Sequence, residues 1–216
     1  MSTAPETHSA EVLAFWFGDA LASPAELQIQ NRLWFGLDPH RRAEFDAAIA
    51  ARFGDWPDRA LGGEFDDWLS NPLGRLALIL VLDQFPRNLY RDSARAFAYD
   101  DRARTLTEEG IRLRHDLSLH PVQAAFFYLS LEHAESLAAQ DQAVQAFEVL
   151  CARTDADYPE FLPAVSGYLD FARRHQAVIA QFGRFPHRNT VLGRDPTPEE
   201  QRYLTSGGER FGSAQS

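Results

Sequence analysis

Asn71-Pro72-Leu73-Gly74-Arg75-Leu76-Ala77-Leu78-Ile79-Leu80-Val81-Leu82-Asp83-Gln84-Phe85-Pro86-Arg87-Asn88 is the stretch that decides the fold class. Pro72 follows a polar capping residue and suits the first helical position, where its missing N–H would be unpaired anyway. The run Leu76 to Leu82 is apolar on every face, so a helix from Pro72 to about Phe85 belongs at the centre of the molecule. Pro86 is expected to break that helix just before Arg87, because proline cannot donate to the preceding turn. The same run is far too short to span a bilayer.

The device that opens this helix recurs outward in both directions. Ser23-Pro24, Asp38-Pro39, His120-Pro121 and Thr197-Pro198 each pair a polar residue with proline ahead of a helical pattern. Ser23 with Glu26, and Thr197 with Glu200, also fit the reciprocal capping box. Caps and periodicity predict helices over about Ser9–Phe17, Pro24–Phe35, Pro39–Phe53, Asp100–Leu113, Pro121–Ala138, Gln140–Arg153 and Pro163–Phe182, with a short one after Pro198. Gly18, Gly54 and Gly183 are the expected stops. Gly54 to Ser70, with Trp56, Phe65 and Trp68, reads as a loose Gly- and Asp-rich stretch. No alternating β-branched run bounded by hairpin turns occurs. The chain therefore reads as all-α, with antiparallel helix hairpins from its short connections. Residues 9–206 are expected to form one domain. Residues 1–8 are expected to be disordered and 207–216 to be a mobile tail.

Composition narrows the function classes. The chain has 216 residues and a formal net charge of −10. That argues against nucleic-acid or anionic-membrane partners, which need cationic surface. All 21 basic residues are arginine, so no lysine can form a Schiff base or act as general base. The single cysteine, Cys151, excludes an internal disulfide. The first residues carry no apolar leader segment, so the expected compartment is the cytoplasm. The 4 Trp and 16 Phe suggest a core filled by large rings.

Candidate chemistry sits in three segments. Asp83 and Gln84 close the apolar run, and a buried carboxylate needs a partner, with Arg87 near in sequence and Asn88 beside it. Arg184-Phe185-Pro186-His187-Arg188-Asn189 again follows a helix stop and concentrates positive charge in an acidic chain. Arginine offers a planar fork for carboxylate or phosphate, and histidine can move a proton near neutral pH. His133 extends the stripe Val122, Phe126, Leu129 and so should face inward. On a continuous helix Glu135 would point roughly 200° away from it. His175, between Arg173-Arg174 and Gln176, reads as a solvated face. The first two segments can equally be helix ends satisfying their own carbonyls, and an inward His133 can be a satisfied core residue rather than a catalyst. No known catalytic motif, cofactor motif or metal-ligand spacing is present.

The segment Arg75 to Asn88, followed by Ala96-Phe97-Ala98 and Asp100, resembles the signature of the bacterial "domain of unknown function 924" family. Val12 to Gly18, Arg32-Leu33-Trp34-Phe35, His133-Ala134-Glu135, Arg184 to Asn189 and Leu192-Gly193-Arg194 match as well. The likeness runs from about residue 10 to 205. Where the family often has Ser after the histidine, this chain has Ala134. The resemblance implies a right-handed, tetratricopeptide-like stack of helices and no agreed activity. It draws Asp83, Gln84, Arg87, Asn88, His133, Glu135, His187, Arg188 and Asn189 into one pattern.

Three functions fit these residues. The first is a site for a small polar or anionic molecule. Arg87, Arg188, Arg184, Gln84, Asn88 and Asn189 would bind it. His133 or His187 would move a proton, oriented by Asp83 or Glu135. The second is a helical scaffold that binds a protein or peptide. The third is purely structural, with the motifs pinning helix ends.

Overall fold

The computed structural model describes residues 5–35 and 39–211, with side chains from His8 onward. Among the described residues ten α-helices occur, in the order α1 Pro5–Phe17, α2 Pro24–Trp34, α3 Pro39–Phe53, α4 Trp56–Leu61, α5 Pro72–Leu89, α6 Asp100–Arg112, α7 Pro121–Glu132, α8 Leu137–Asp157, α9 Leu162–Phe182 and α10 Pro198–Thr205. Short 3-10 turns link several of them, and no strand occurs among the described residues. The chain is all-helical. None of these helices is long and apolar enough to cross a membrane.

The capping logic of the sequence operates as written. Ser23 accepts from the Glu26 N–H and Asn71 from the Gly74 N–H. His120 and Thr197 form reciprocal boxes with Gln123 and Glu200. Asp38 lies outside the described residues. Gly183 ends α9 in the left-handed region at φ +70°, where a side chain would be strained. α1 begins at Pro5, ahead of the expected Ser9.

α5 is the buried axis. From Leu76 to Phe85 its apolar side chains are fully enclosed, and α1, α3, α4, α6 and α7 all pack on it. On one side sits a ring cluster. Phe85 meets Phe53 at 5.0 Å and Trp16 at 5.8 Å between centroids, and Trp16 meets Trp34 and Phe126. The Trp16 carbonyl accepts from both the Gln30 amide and the Trp34 indole, tying α2 to α1. The stretch read as loose is ordered instead. α4 and the turn Asp66–Ser70 bury Trp56, Phe65 and Trp68, whose ring areas outweigh the weak local propensity.

Two boundaries differ from expectation at places that matter later. α5 runs through Pro86 to Leu89 instead of stopping. Burial of Phe85 and Pro86 holds the chain in register on both sides of the missing N–H, and the Tyr90 N–H closes on the Pro86 carbonyl at 2.9 Å. α7, by contrast, stops at Glu132 rather than near Ala138. Ser136 caps a new helix, and the Gln140 amide donates to the carbonyls of Glu132 and Ala134, satisfying the exposed end. Beyond α10, Gly207–Phe211, the first part of the segment expected to be a free tail, lies back against α9.

Gly74 packs its Cα face against the Trp68 backbone. An added methyl would fall well inside contact distance of the Trp68 carbonyl oxygen. Gly74→Ala should therefore cost about 1–3 kcal/mol despite the better helix propensity of alanine, read as a lower denaturation midpoint at unchanged slope.

Candidate functional site

Asp83 is fully buried on α5. Burial alone would raise its pKa. The Arg87 guanidinium, with hydrogen bonds from His133 and Gln84, outweighs that and holds the carboxyl well below the usual range. Gln84 Nε2 donates to Oδ2 at 2.6 Å, Arg87 lies 3.2 Å from Oδ1, and His133 Nδ1 lies 2.8 Å from Oδ1. Helix α5 supplies Arg87 one turn after Asp83, because it does not break at Pro86. Arg87 also donates to the Asp83 carbonyl at 2.6 Å and grips both oxygens of Asp100 at 2.9 and 3.0 Å. Asp100 opens α6, where the helix dipole favours a carboxylate.

His133 is the C-terminal cap of α7, not a mid-helix residue. The expected 200° separation from Glu135 therefore does not apply. Burial, then the nearby Arg87 charge, lowers the His133 pKa, so the ring is neutral at neutral pH. The ionised Asp83 can only accept, so Nδ1 carries the proton and Nε2 the lone pair.

Arg188 completes the cluster from the turn after α9. Its Nη1 donates to the His133 carbonyl at 3.0 Å and lies 3.7 Å from Asp100. The guanidinium is layered between Phe97 and Phe185, at 4.5 and 4.4 Å from their ring centres. Burial, with Arg87 close by, pushes its pKa down to about 10. Its Nε is buried without a hydrogen-bond partner. Asp83, Gln84, Arg87, His133 and Arg188 are thus brought together from three distant segments, with Asp100 as the shared counter-charge of the two arginines.

The remaining candidates lie elsewhere. Glu135 accepts from the Phe185 N–H at 2.7 Å and pairs with Arg194, so it clamps the turn and does not orient His133. Arg184 and Asn189 both bond Glu200. Asn88 donates to Asp46, which also pairs with Arg91. Each of these is absorbed by a structural tie. His187 sits among rings, 5.6 Å from Phe185, and burial drives its pKa down to about 3. It is a neutral imidazole and adds no positive charge to its segment.

Sequence reasoning missed Glu132 and His175. His175 is 4 % exposed, not solvated. Val165, Leu169, Ala172, His175 and Ile179 recur every three or four residues, so the buried stripe of α9 was readable had the neighbouring arginines not drawn attention outward. His175 Nδ1 lies 3.0 Å from Glu132, and its ring is 6.3 Å from that of His133. Burial pushes Glu132 up to about 8 and His175 down to about 2, so at neutral pH the pair is a neutral acid beside a neutral ring. No group of three or more His, Cys, Asp or Glu among the described residues could hold a metal ion.

These helix-end residues belong to a helical family that the chain's relatives define. The profile of the bacterial family of unknown function DUF924 matches residues 12–208, and the chain belongs to this family. It is similar to a solved protein of unknown function, ATU0120 from Agrobacterium tumefaciens, at 37 % identity and a TM-score of 0.74, with 94 % of this chain and 100 % of that one covered. No curated protein matches the chain.

Glu132 carries a pH signature. Its folded pKa is raised from 4.5 to about 8. The folded state therefore holds a proton that the unfolded state releases, and stability is lost as pH rises across that window. Glu132→Gln removes this dependence. Its stability relative to the parent chain should increase from pH 4.5 to about 8 and then level off, as measured by urea unfolding at several pH values.

Proposed function

We propose that the chain binds a small polar or anionic molecule where the ends of α5 and α7 meet the turn Pro186–Arg188. The observation that carries this reading is the pairing of an oriented imidazole with an under-satisfied cation. Asp83 fixes the His133 tautomer through Nδ1, which leaves Nε2 as a base. Arg188 is buried, has its pKa lowered, and keeps an unpartnered Nε. An anion beside Arg188 would restore the charge balance that burial and Arg87 disturb. Arg87 is already held by two carboxylates, so its part is to position Asp83 and Asp100 rather than to grip the ligand. With a proton acceptor and a cation side by side, the site is equipped for general acid–base chemistry on a bound anion.

The packing supports a tetratricopeptide-like arrangement of the scaffold. From α5 to α9 each helix packs on the next, and α7 also packs on α5 and α9. A purely structural reading is favoured for Asn88, Arg184, Glu135 and Asn189, whose polar atoms are taken up by ties between elements.

Inorganic phosphate, citrate and benzoate serve as probes in a thermal-shift and NMR titration. At least one should stabilise the parent chain, and Arg188→Gln should weaken that probe about tenfold or more. His133→Gln should weaken it less, while removing the downfield Nδ1–H resonance expected of the Asp83 hydrogen bond. Equal affinity in Arg188→Gln, or no response to any probe, would overturn the reading.

A further inference from the structure

The ring of Phe211 stacks on His175 at 3.5 Å between centroids with planes 20° apart. Phe185 and His187 meet it edge-on, each at 5.8 Å. The three walls come from two elements, α9 and the turn after it. The ring between them comes from a separate piece of chain, the strap Gly207–Phe211. We infer that the box of His175, Phe185 and His187 is a subsite for the planar heteroaromatic ring of a small molecule, held closed in this structure by Phe211. The inference rests on the ligand-binding reading above and names the class of ligand.

Three observations carry it. Phe211 has φ +41°, in the left-handed region that a bulky aromatic residue rarely adopts, so the strap is bent to deliver this ring. The walls also hold a polar atom that a phenyl ring cannot satisfy. His187 Nδ1 is buried with no hydrogen-bond partner. A ring bearing a nitrogen or N–H group could meet it, which a hydrocarbon ring cannot. Burial holds His187 neutral, so this wall favours an uncharged ring over a cation. Finally, apart from the Phe211 ring, the strap is held by polar contacts with α9 and α10. Glu209 pairs with Arg174 at the surface, and its N–H donates to the Tyr203 hydroxyl at 2.9 Å. A groove of ≈ 530 Å³ lined by Arg174, Leu204, Thr205 and Gly207 to Arg210 follows the strap.

His175 and Phe185 are also the link to the chemistry described above. The His175 ring lies 6.3 Å from that of His133, and Phe185 carries the Arg188 guanidinium on its face. A ring in the box would be separated from the Asp83–His133 pair by the His175 ring and from Arg188 by the Phe185 ring.

Benzimidazole is the probe, and cyclohexanol, similar in size but not planar, is the control. Phe211→Ala should bind benzimidazole at least tenfold more tightly than the parent chain, with Phe211→Leu in between. Saturating benzimidazole should raise amide exchange at Gly208–Phe211 in the parent chain, as the strap is displaced. An equal gain for cyclohexanol would mean a hole made by truncation, and would overturn the inference. So would benzimidazole binding with strap protection unchanged. If Arg188-dependent anion binding holds while Phe211→Ala changes nothing, only the ring subsite fails. If ring binding holds and no anion responds to Arg188→Gln, the anion site fails instead.

Discussion

A carboxylate with no solvent exposure in the middle of an apolar helix is the constraint around which this molecule is arranged. Asp83 cannot be ionised there alone, because the cost of an unpaired buried charge far exceeds the stability of a domain. Its compensation comes in stages. Arg87 arrives from one turn along the same helix, Gln84 from the next residue, and His133 from the end of α7. Arg87 then needs its own counter-charge and takes Asp100, which anchors the start of α6. Arg188 approaches Asp100 and reaches back to the His133 carbonyl. Four segments of chain are held in register by one buried negative charge and its consequences.

Beside this charged chain lies a second buried unit with the opposite solution. Glu132 and His175 are as deeply enclosed as Asp83, but no arginine bonds either of them among the described residues. Burial therefore wins, and both become neutral. The two units share a wall of rings and sit one residue apart on α7. Ionised and neutral polar groups side by side in a dry interior would offer the molecule proposed to bind here both a fixed field and uncharged hydrogen-bonding partners.

Much of the fold was legible because it is local. Caps at Ser23, Asn71, His120 and Thr197, the stop at Gly183 and the apolar run of α5 all act within one turn of themselves. The misses share a different cause. α5 passes Pro86 because Phe85 is clamped by rings of α1 and α3. α7 stops at Glu132 because Gln140, Glu135 and Ser136 find better partners in the break. Trp56, Phe65 and Trp68 order a weakly helical stretch by burying their rings. In each case tertiary packing overrides a short-range preference. The same holds for the site. Asp83, Arg87, His133 and Arg188 were recognisable as unusual residues. The absorption of Asn88, Arg184 and Asn189 into structural ties depends on Asp46 and Glu200, whose positions nothing local announces.

The spacing of the Asp83 partners along the chain also sets an order in time. Arg87 is 4 residues away, His133 is 50 away, and Arg188 lies 55 residues beyond His133. During synthesis the apolar α5 leaves the ribosome long before the imidazole that completes its buried carboxylate, and longer still before Arg188. Until then its burial is incomplete, and an oily helix with a half-compensated charge must wait. The N-terminal ring cluster can close over shorter loops in the meantime. Chains interrupted before the Phe185 segment therefore carry the apolar α5 with its buried carboxylate still lacking Arg188, and the polar cluster can be completed only after that segment is made.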